Sequence, residues 1–375
     1  MSAAGFVSFV SCKSLRRVAA PLVLASAFQP VAPCAAQDSR ATELPLIWVL
    51  STGGTIAGTG ASSTSLAEYK AGTLLGSDLV KAVPEIGQHA SVKVEQIVNV
   101  ASPDLTLGNW IALANRINRI FTDDPNVAGI VITHGTNTLE ETAYFLNLTV
   151  KDDRPVVLVG SQRPATAISA DGPLNLLNGV RTAASADARG KGVLVVMNDE
   201  INGARDVTKT NTFRVETFRA PELGFLGYVD ADKVSFYRAS TKRHTSASEF
   251  DVSNVTELPK VDIVYSYIQP NTVVIGALVA SGVKGLVFAG TGAGLISDVE
   301  KSALKPVLAL PVAARPVLVR STRVGNGRVI GREDYDRMGM IPADTLNPQK
   351  SRILLMLALT KTNDLKDIQR MFAEY

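Results

Sequence analysis

From Leu46 onward the chain repeats one unit: a short apolar run, a polar stop, then a longer amphipathic stretch. Leu46-Ile-Trp-Val-Leu50, Gly129-Ile-Val-Ile-Thr133, Val156-Val-Leu-Val-Gly160 and Gly192-Val-Leu-Val-Val-Met197 are apolar at successive positions, not at every second one. A strand with that pattern is covered on both faces, and such strands joined through helices run parallel. Val92 to Val100 is read as a further strand. Helical spacing marks 110–121, through Ile111, Leu113, Ala114, Ile117 and Ile120, and helices are also read over 139–148 and 174–186. Between 238 and 260 the periodicity fades into a polar stretch with Ser246, Ser248, Ser253 and Pro259, read as a linker. Beyond it the alternation resumes with strands over 261–265, 285–289 and 316–320, helices over 273–281 and 297–308, and two closing helices. The expected class is α/β with two domains. The larger, over 42–237, is a doubly wound, mostly parallel sheet, and the smaller, over 261–375, is a parallel α/β domain. No internal repeat of solenoid period is visible.

The first residues are of another kind. Lys13, Arg16 and Arg17 precede the apolar run from Val18 to Phe28, and Cys34-Ala-Ala36 supplies a small-residue exit. This is the layout of a secretory signal peptide over 1–36, with an apolar run too short for a permanent membrane span. Its removal takes Lys+Arg from 38 to 35, equal to the 35 Asp+Glu, and takes both cysteines, Cys12 and Cys34. The mature protein is then nearly neutral and free of disulfides, and it is expected to be soluble and periplasmic or secreted. With that charge balance and 6% aromatic residues, no nucleic-acid partner is implied, and no later segment suits a membrane.

Ligands of open parallel sheets bind beyond the carboxyl ends of the strands. Three polar clusters fall at such places: Thr52-Gly-Gly-Thr55, Thr133-His-Gly-Thr-Asn-Thr138, and Arg205-Asp-Val-Thr-Lys-Thr-Asn-Thr212. Acyl transfer needs a nucleophile, a proton acceptor, and donors for a developing oxyanion. Thr55 and Thr136 offer hydroxyls, Lys209 a base if burial lowers its pKa, and the glycine-flanked backbone its N–H groups. Each has a plainer reading: a threonine at a strand end caps helices, a lysine in a polar loop is a solvated charge, and His134 is a structural histidine. Only His89, His134 and His244 are present, with no mature cysteine, so neither a metal site nor histidine chemistry is indicated.

Thr52-Gly-Gly-Thr-Ile-Ala57, His134-Gly-Thr-x-Thr-Leu-Glu-Glu-Thr142 and Arg205-Asp-Val-Thr-Lys-Thr-Asn211 together resemble the exported type II bacterial L-asparaginases and glutaminase-asparaginases. The similarity continues through Ser169-Ala-Asp-Gly-Pro173, Asp251-Val-Ser253 and Leu346-Asn-Pro-Gln-Lys350. The resemblance implies hydrolysis of an amino-acid amide without metal or cofactor, with Thr55 as nucleophile, Tyr69 on a lid activating it, and Thr136 and Lys209 relaying protons. It also implies that Ser102 grips the substrate α-carboxylate beside Gly54 and Gly135. Glu333 would reach a neighbouring subunit's site in a homotetramer built as a dimer of dimers. Two positions depart from the pattern. Asn137 stands where the family has the aspartate that binds the substrate ammonium, and Pro103 where it has Gln or Glu, so a changed hold on that end is expected.

Two rivals remain open on the residues alone. A periplasmic amino-acid-binding protein could use the same loops without chemistry. A nucleotide-dependent enzyme is suggested by Gly290-Thr-Gly-Ala-Gly294, although Leu295 stands where the dinucleotide fingerprint needs glycine or alanine.

Overall fold

The computed structural model describes residues 43–375. The expected signal segment, 1–36, lies outside the described residues. Eight strands form the large sheet: β1 Leu46–Gly53, β2 Ser91–Val100, β3 Val127–Thr133, β4 Val156–Val159, β5 Val193–Met197, β6 Glu200–Gly203, β7 Gly227–Val229 and β8 Val234–Phe236. Their order across the sheet is β8-β7-β6-β5-β4-β3-β1-β2. β1 to β5 run parallel. β6, β7 and β8 extend one side antiparallel. That extension was not expected, because these strands are three or four residues long and carry no continuous apolar run.

The continuous apolar runs do what their pattern requires. Ile47 and Val49 of β1, Val131 of β3, Val157 of β4 and Leu194 of β5 pack on one face with Leu176 and Val180 of α3 (Gly172–Ala184). Leu50, Ile130, Leu158 and Val195 pack on the other, against α1 (Leu107–Asp123) and α2 (Leu139–Thr149). α1 is held at its start by a capping box, in which Thr106 and Asn109 bond each other's backbone N–H.

The small sheet runs β9 Val261–Tyr265, β10 Gly285–Gly290, β11 Val317–Thr322 and β12 Met340–Pro342 in sequence order, all parallel. One face packs against α4 (Val273–Ala280) and α5 (Asp298–Leu308) through Ile275, Leu304 and Val307. The other shares its core with the large sheet: Val287 and Val319 join one apolar cluster with Leu50 and Phe145, through α6 (Pro348–Ala358) and α7 (Leu365–Glu374). From Ile353 to Ala358 every residue of α6 is buried, as befits a helix enclosed all round.

The polar stretch 238–260 does connect the sheets, but it is not loose. Phe250, Val252 and Leu258 are buried in the shared core. Arg243 donates to Glu374 at 2.6 Å, and Arg370 donates to Glu249 at 3.0 Å. Their irregular spacing among serines and a proline gives neither period 2 nor 3.6, which is why pattern alone shows only a linker. No helix among the described residues is long and apolar enough to cross a membrane.

Candidate active site

After β1 the backbone goes to β2 on one side, and β3 adds on the other, so connections leave the β1/β3 junction in opposite senses. That divergence opens a crevice at the carboxyl ends of the two strands, the usual ligand position in doubly wound sheets. Gly53 and Gly54 have φ of +96° and +85°, a region that disfavours residues with a β-carbon. A β-carbon on Gly54 would lie 2.2 Å from the Gly135 Cα, so the bends after β1 and β3 touch backbone to backbone. One on Gly135 would lie 2.8 Å from the Ser102 Oγ. The bends after β1 and β3 and the Ser102 turn after β2 therefore meet at one point.

Thr55 opens a short turn, Thr55–Ala57, and is nearly buried. Its Oγ1 lies 2.7 Å from the Tyr69 Oη, with either oxygen able to donate. Tyr69 arrives on a two-residue ladder, in which Tyr69–Lys70 pairs antiparallel with Thr59–Gly60. The segment is pinned by the Gly72 N–H donating to Gly54 O at 3.1 Å and the Thr73 N–H to Ala57 O at 2.7 Å. The tyrosine is thus held against the hydroxyl by the same loop that carries it.

On the β3 side, Lys209 Nζ donates to Thr136 Oγ1 at 2.9 Å and to Asn137 Oδ1 at 3.2 Å. Lys209 is presented by the ladder of Thr208–Lys209 with Phe218–Arg219. Burial pushes its pKa below that of an ordinary lysine. Among the described residues it forms no ion pair, and the backbone N–H groups of Thr55 and Thr136 donate to no protein acceptor. Ser102 completes the wall: its Oγ accepts from the Thr138 N–H at 3.3 Å, and its carbonyl accepts from the Thr138 hydroxyl at 2.9 Å.

His134 is fully buried, with Nδ1 2.7 Å from Gly135 O. That contact makes Nδ1 the protonated nitrogen, and burial pushes the imidazole pKa down to about 4. It fixes the Gly135 carbonyl and stays neutral, in line with its structural reading. Glu333 begins a short helix, Glu333–Asp336, in the connection between β11 and β12 of the small sheet. It pairs with Arg337 at 3.7 Å and makes no hydrogen bond or ion pair to the crevice residues of its own protomer.

The structure therefore brings together Gly54, Thr55, Tyr69, Ser102, Gly135, Thr136, Asn137 and Lys209, and leaves Glu333 apart. Sequence alone gave no role to Thr138, which ties Ser102 to the β3 loop, and did not point to the ties between β1 and β3: Thr52 donates to Thr133 O at 3.0 Å, and Thr133 to Ser51 Oγ at 2.9 Å. The signal was the row of hydroxyl residues ending two apolar strands, but their pairing needs the strand order. Gly290–Gly294 forms no nucleotide loop. Thr291 and Leu295 exchange backbone hydrogen bonds of 2.9 and 2.8 Å, closing the glycines into a tight hairpin before Ser297 caps α5.

Paired hydroxyls, a second hydroxyl on a half-buried amine and unengaged N–H groups form the apparatus for acyl transfer from an amide, which defines an amidohydrolase class of site. Comparison with known proteins agrees. Residues 46–242 match the family model described as asparaginase, N-terminal, and residues 260–372 match the glutaminase/asparaginase C-terminal domain. The sequence is 51% identical to L-asparaginase 2 of Bacillus subtilis (strain 168), covering 91% of this chain and 89% of that one. It is 46% identical to the glutaminase-asparaginase of Pseudomonas fluorescens biotype A, covering 92% and 95%. A solved structure, the probable cytoplasmic L-asparaginase from Campylobacter jejuni, superposes with a TM-score of 0.85 at 48% identity, covering 88% of this chain and 99% of that one. The chain belongs to the asparaginase family and is an amidohydrolase.

Proposed function

We propose that the protein hydrolyses the side-chain amide of L-asparagine to L-aspartate and ammonia, and that of L-glutamine as a second substrate, through an ester on Thr55. The observation that carries this reading is the 2.7 Å contact between Thr55 Oγ1 and Tyr69 Oη at the β1/β3 crevice. Tyr69 relays the hydroxyl proton as Thr55 Oγ1 attacks the amide carbon, passing its own phenolic proton to solvent as it takes the one from Thr55. The N–H groups of Thr55 and Thr136 receive the oxyanion, and Lys209, acting through Thr136, delivers a proton to the leaving nitrogen. Water then cleaves the ester by the reverse sequence. Ser102 holds the α-carboxylate, Gly54 and Gly135 form the close wall beside it, and neither metal nor cofactor takes part.

Assembly as a homotetramer, a dimer of dimers, would carry Glu333 to the crevice of a neighbouring copy. Export to the periplasm or beyond follows from the signal-like segment 1–36. A relative 47% identical, from Haemophilus influenzae, bears the name probable L-asparaginase periplasmic.

Ammonia release from both amides, measured beside Thr55→Ala, tests the central claim. The variant should lose at least about 10⁴-fold in kcat, as expected for loss of a nucleophile, while its melting temperature stays close to that of the unmodified protein. Activity persisting in a folded Thr55→Ala protein would sink the assignment.

A further inference from the structure

Lys350 is the third residue of α6 and is fully buried. The place is costly for a cation. The first turn of a helix carries the positive end of the backbone dipole, and burial strips an ammonium of its water. Burial pushes the Lys350 pKa down to about 8, although Glu140, Asp206 and Glu141 work the other way; Arg205 adds to the lowering. A methionine would fill the same space without these costs, so the ammonium itself must have a use.

That use is visible in what it grips. Lys350 Nζ donates to the Arg205 carbonyl at 2.8 Å and also to the Val207 carbonyl. These residues lead directly into the Thr208–Lys209 strand of the ladder. Arg205 is held a second time through its side chain: Nη1 donates to Thr345 Oγ1 at 2.8 Å and Nε to Tyr375 O at 2.5 Å. Three residues far along the chain therefore fix the backbone that delivers Lys209 to the crevice. The ladder's other strand is anchored by Phe218 in the shared core. Among the described residues the Lys350 ammonium bonds those two carbonyls and no side chain of the crevice, so it reaches the chemistry only through Lys209. Lys209 must meet Thr136 Oγ1 on another loop, and a misplacement of about 1 Å in a catalytic group costs about 10²-fold in rate.

We propose that Lys350 is a positioning residue for the reaction, acting with Thr345 to hold the 205–207 backbone so that Lys209 stands on Thr136 Oγ1. The inference rests on the reading of Thr55 as nucleophile and of Lys209 as the source of the proton for the leaving nitrogen.

Steady-state ammonia release from L-asparagine by Lys350→Met, Lys209→Met and the double variant tests it. Lys350→Met should lose about 10²-fold in kcat, with KM close to that of the unmodified enzyme. The alkaline limb of its kcat profile should move to higher pH, because a Lys209 released from its half-buried place regains an ordinary lysine pKa. In the double variant, Lys350→Met should add no loss to that of Lys209→Met, since groups acting as one unit are not additive. Thr345→Val keeps the inference open to refutation should Lys350→Met fail to fold. It removes one neutral hydrogen bond from the same segment, and should cost about fivefold in kcat with the same shift of the limb. A folded variant, Lys350→Met or in its place Thr345→Val, with kcat and limb unchanged overturns the inference. So does a loss that multiplies with that of Lys209→Met or leaves the limb in place, which would mark general damage to the core. In those cases an inactive Thr55→Ala leaves the nucleophile reading standing. No ammonia from the unmodified enzyme overturns both readings.

Discussion

Between β1 and β3 the large sheet reverses the direction in which the backbone traverses it, whereas β9 to β12 of the small sheet follow one another in order. Both sheets have parallel strands, apolar at successive positions and buried on both faces, and both have glycine-rich bends at strand ends. In the small sheet α4 and α5 lie on one face, so adjacent connections never part and no crevice opens at a strand junction. Its glycine bend after β10 closes on itself instead. The difference teaches that glycines and hydroxyls at a strand end become a site only where strand order makes room for a ligand.

Alanine at one glycine in each bend tests this most directly. Gly54→Ala combines a left-handed φ of +85° with a β-carbon 2.2 Å from the Gly135 Cα. Separating the two bends by about 1 Å should cost roughly 10²-fold in kcat/KM, with a further ~1–2 kcal/mol of stability from the backbone. Gly292 also has positive φ, +47°, but open space where its β-carbon would stand. Gly292→Ala should cost only the ~1–2 kcal/mol backbone penalty and leave kcat/KM unchanged. Equal kinetic losses in the two variants would break the comparison.

Acid should expose a second asymmetry. His134, beneath the crevice, has its pKa pushed down to about 4 by burial, from a reference of 6.5. A depressed histidine pKa means that the unfolded state takes up the proton first. Its contribution to stability is thus fully present above pH ~6.5 and is lost as pH falls toward 4, amounting to about 3 kcal/mol. Denaturation midpoints of the unmodified protein and of His134→Asn should therefore converge as pH falls through that window. Parallel pH profiles would show that His134 is not the group that titrates.

The regular parts of this fold are written locally, and the sequence shows them for that reason. β1, β3, β4 and β5 are legible because double-sided burial demands unbroken apolar runs, and α1 because one buried stripe demands helical spacing. Thr55, Thr136 and Lys209 could be named from their clusters and from the family resemblance. That Thr55 meets Tyr69, and that Lys209 serves Thr136 and Asn137 at once, depends on strand order and on a two-residue ladder with no periodicity to read. The strap 238–260 hid for a related reason: its anchors Phe250, Val252 and Leu258 act through tertiary contacts. The orientation of the Asn137 amide is set by a lysine 72 positions away.

Two cations, one half-buried and one fully buried, sharpen the contrast between the sheets at the smallest scale. Lys209 borders an open cavity and touches side-chain oxygens of the crevice. Arg320, on β11, is fully buried and donates to the carbonyls of Gly294 at 3.2 Å and Ile330 at 2.7 Å, with its guanidinium 4.1 Å above the Tyr335 ring. Burial pushes its pKa below the usual arginine value, and among the described residues no carboxylate lies within ion-pair distance. Its work is to close the loops around the glycine hairpin. Arg320→Met would free two buried carbonyls but would also remove a desolvated charge, and these effects partly cancel. The expected result is a loss of ~1–2 kcal/mol in chemical denaturation, with kcat/KM for asparagine unchanged. A selective loss of activity at full stability would show instead that Arg320, stacked on Tyr335 of the helix Glu333–Asp336, positions Glu333 for a neighbouring copy's crevice.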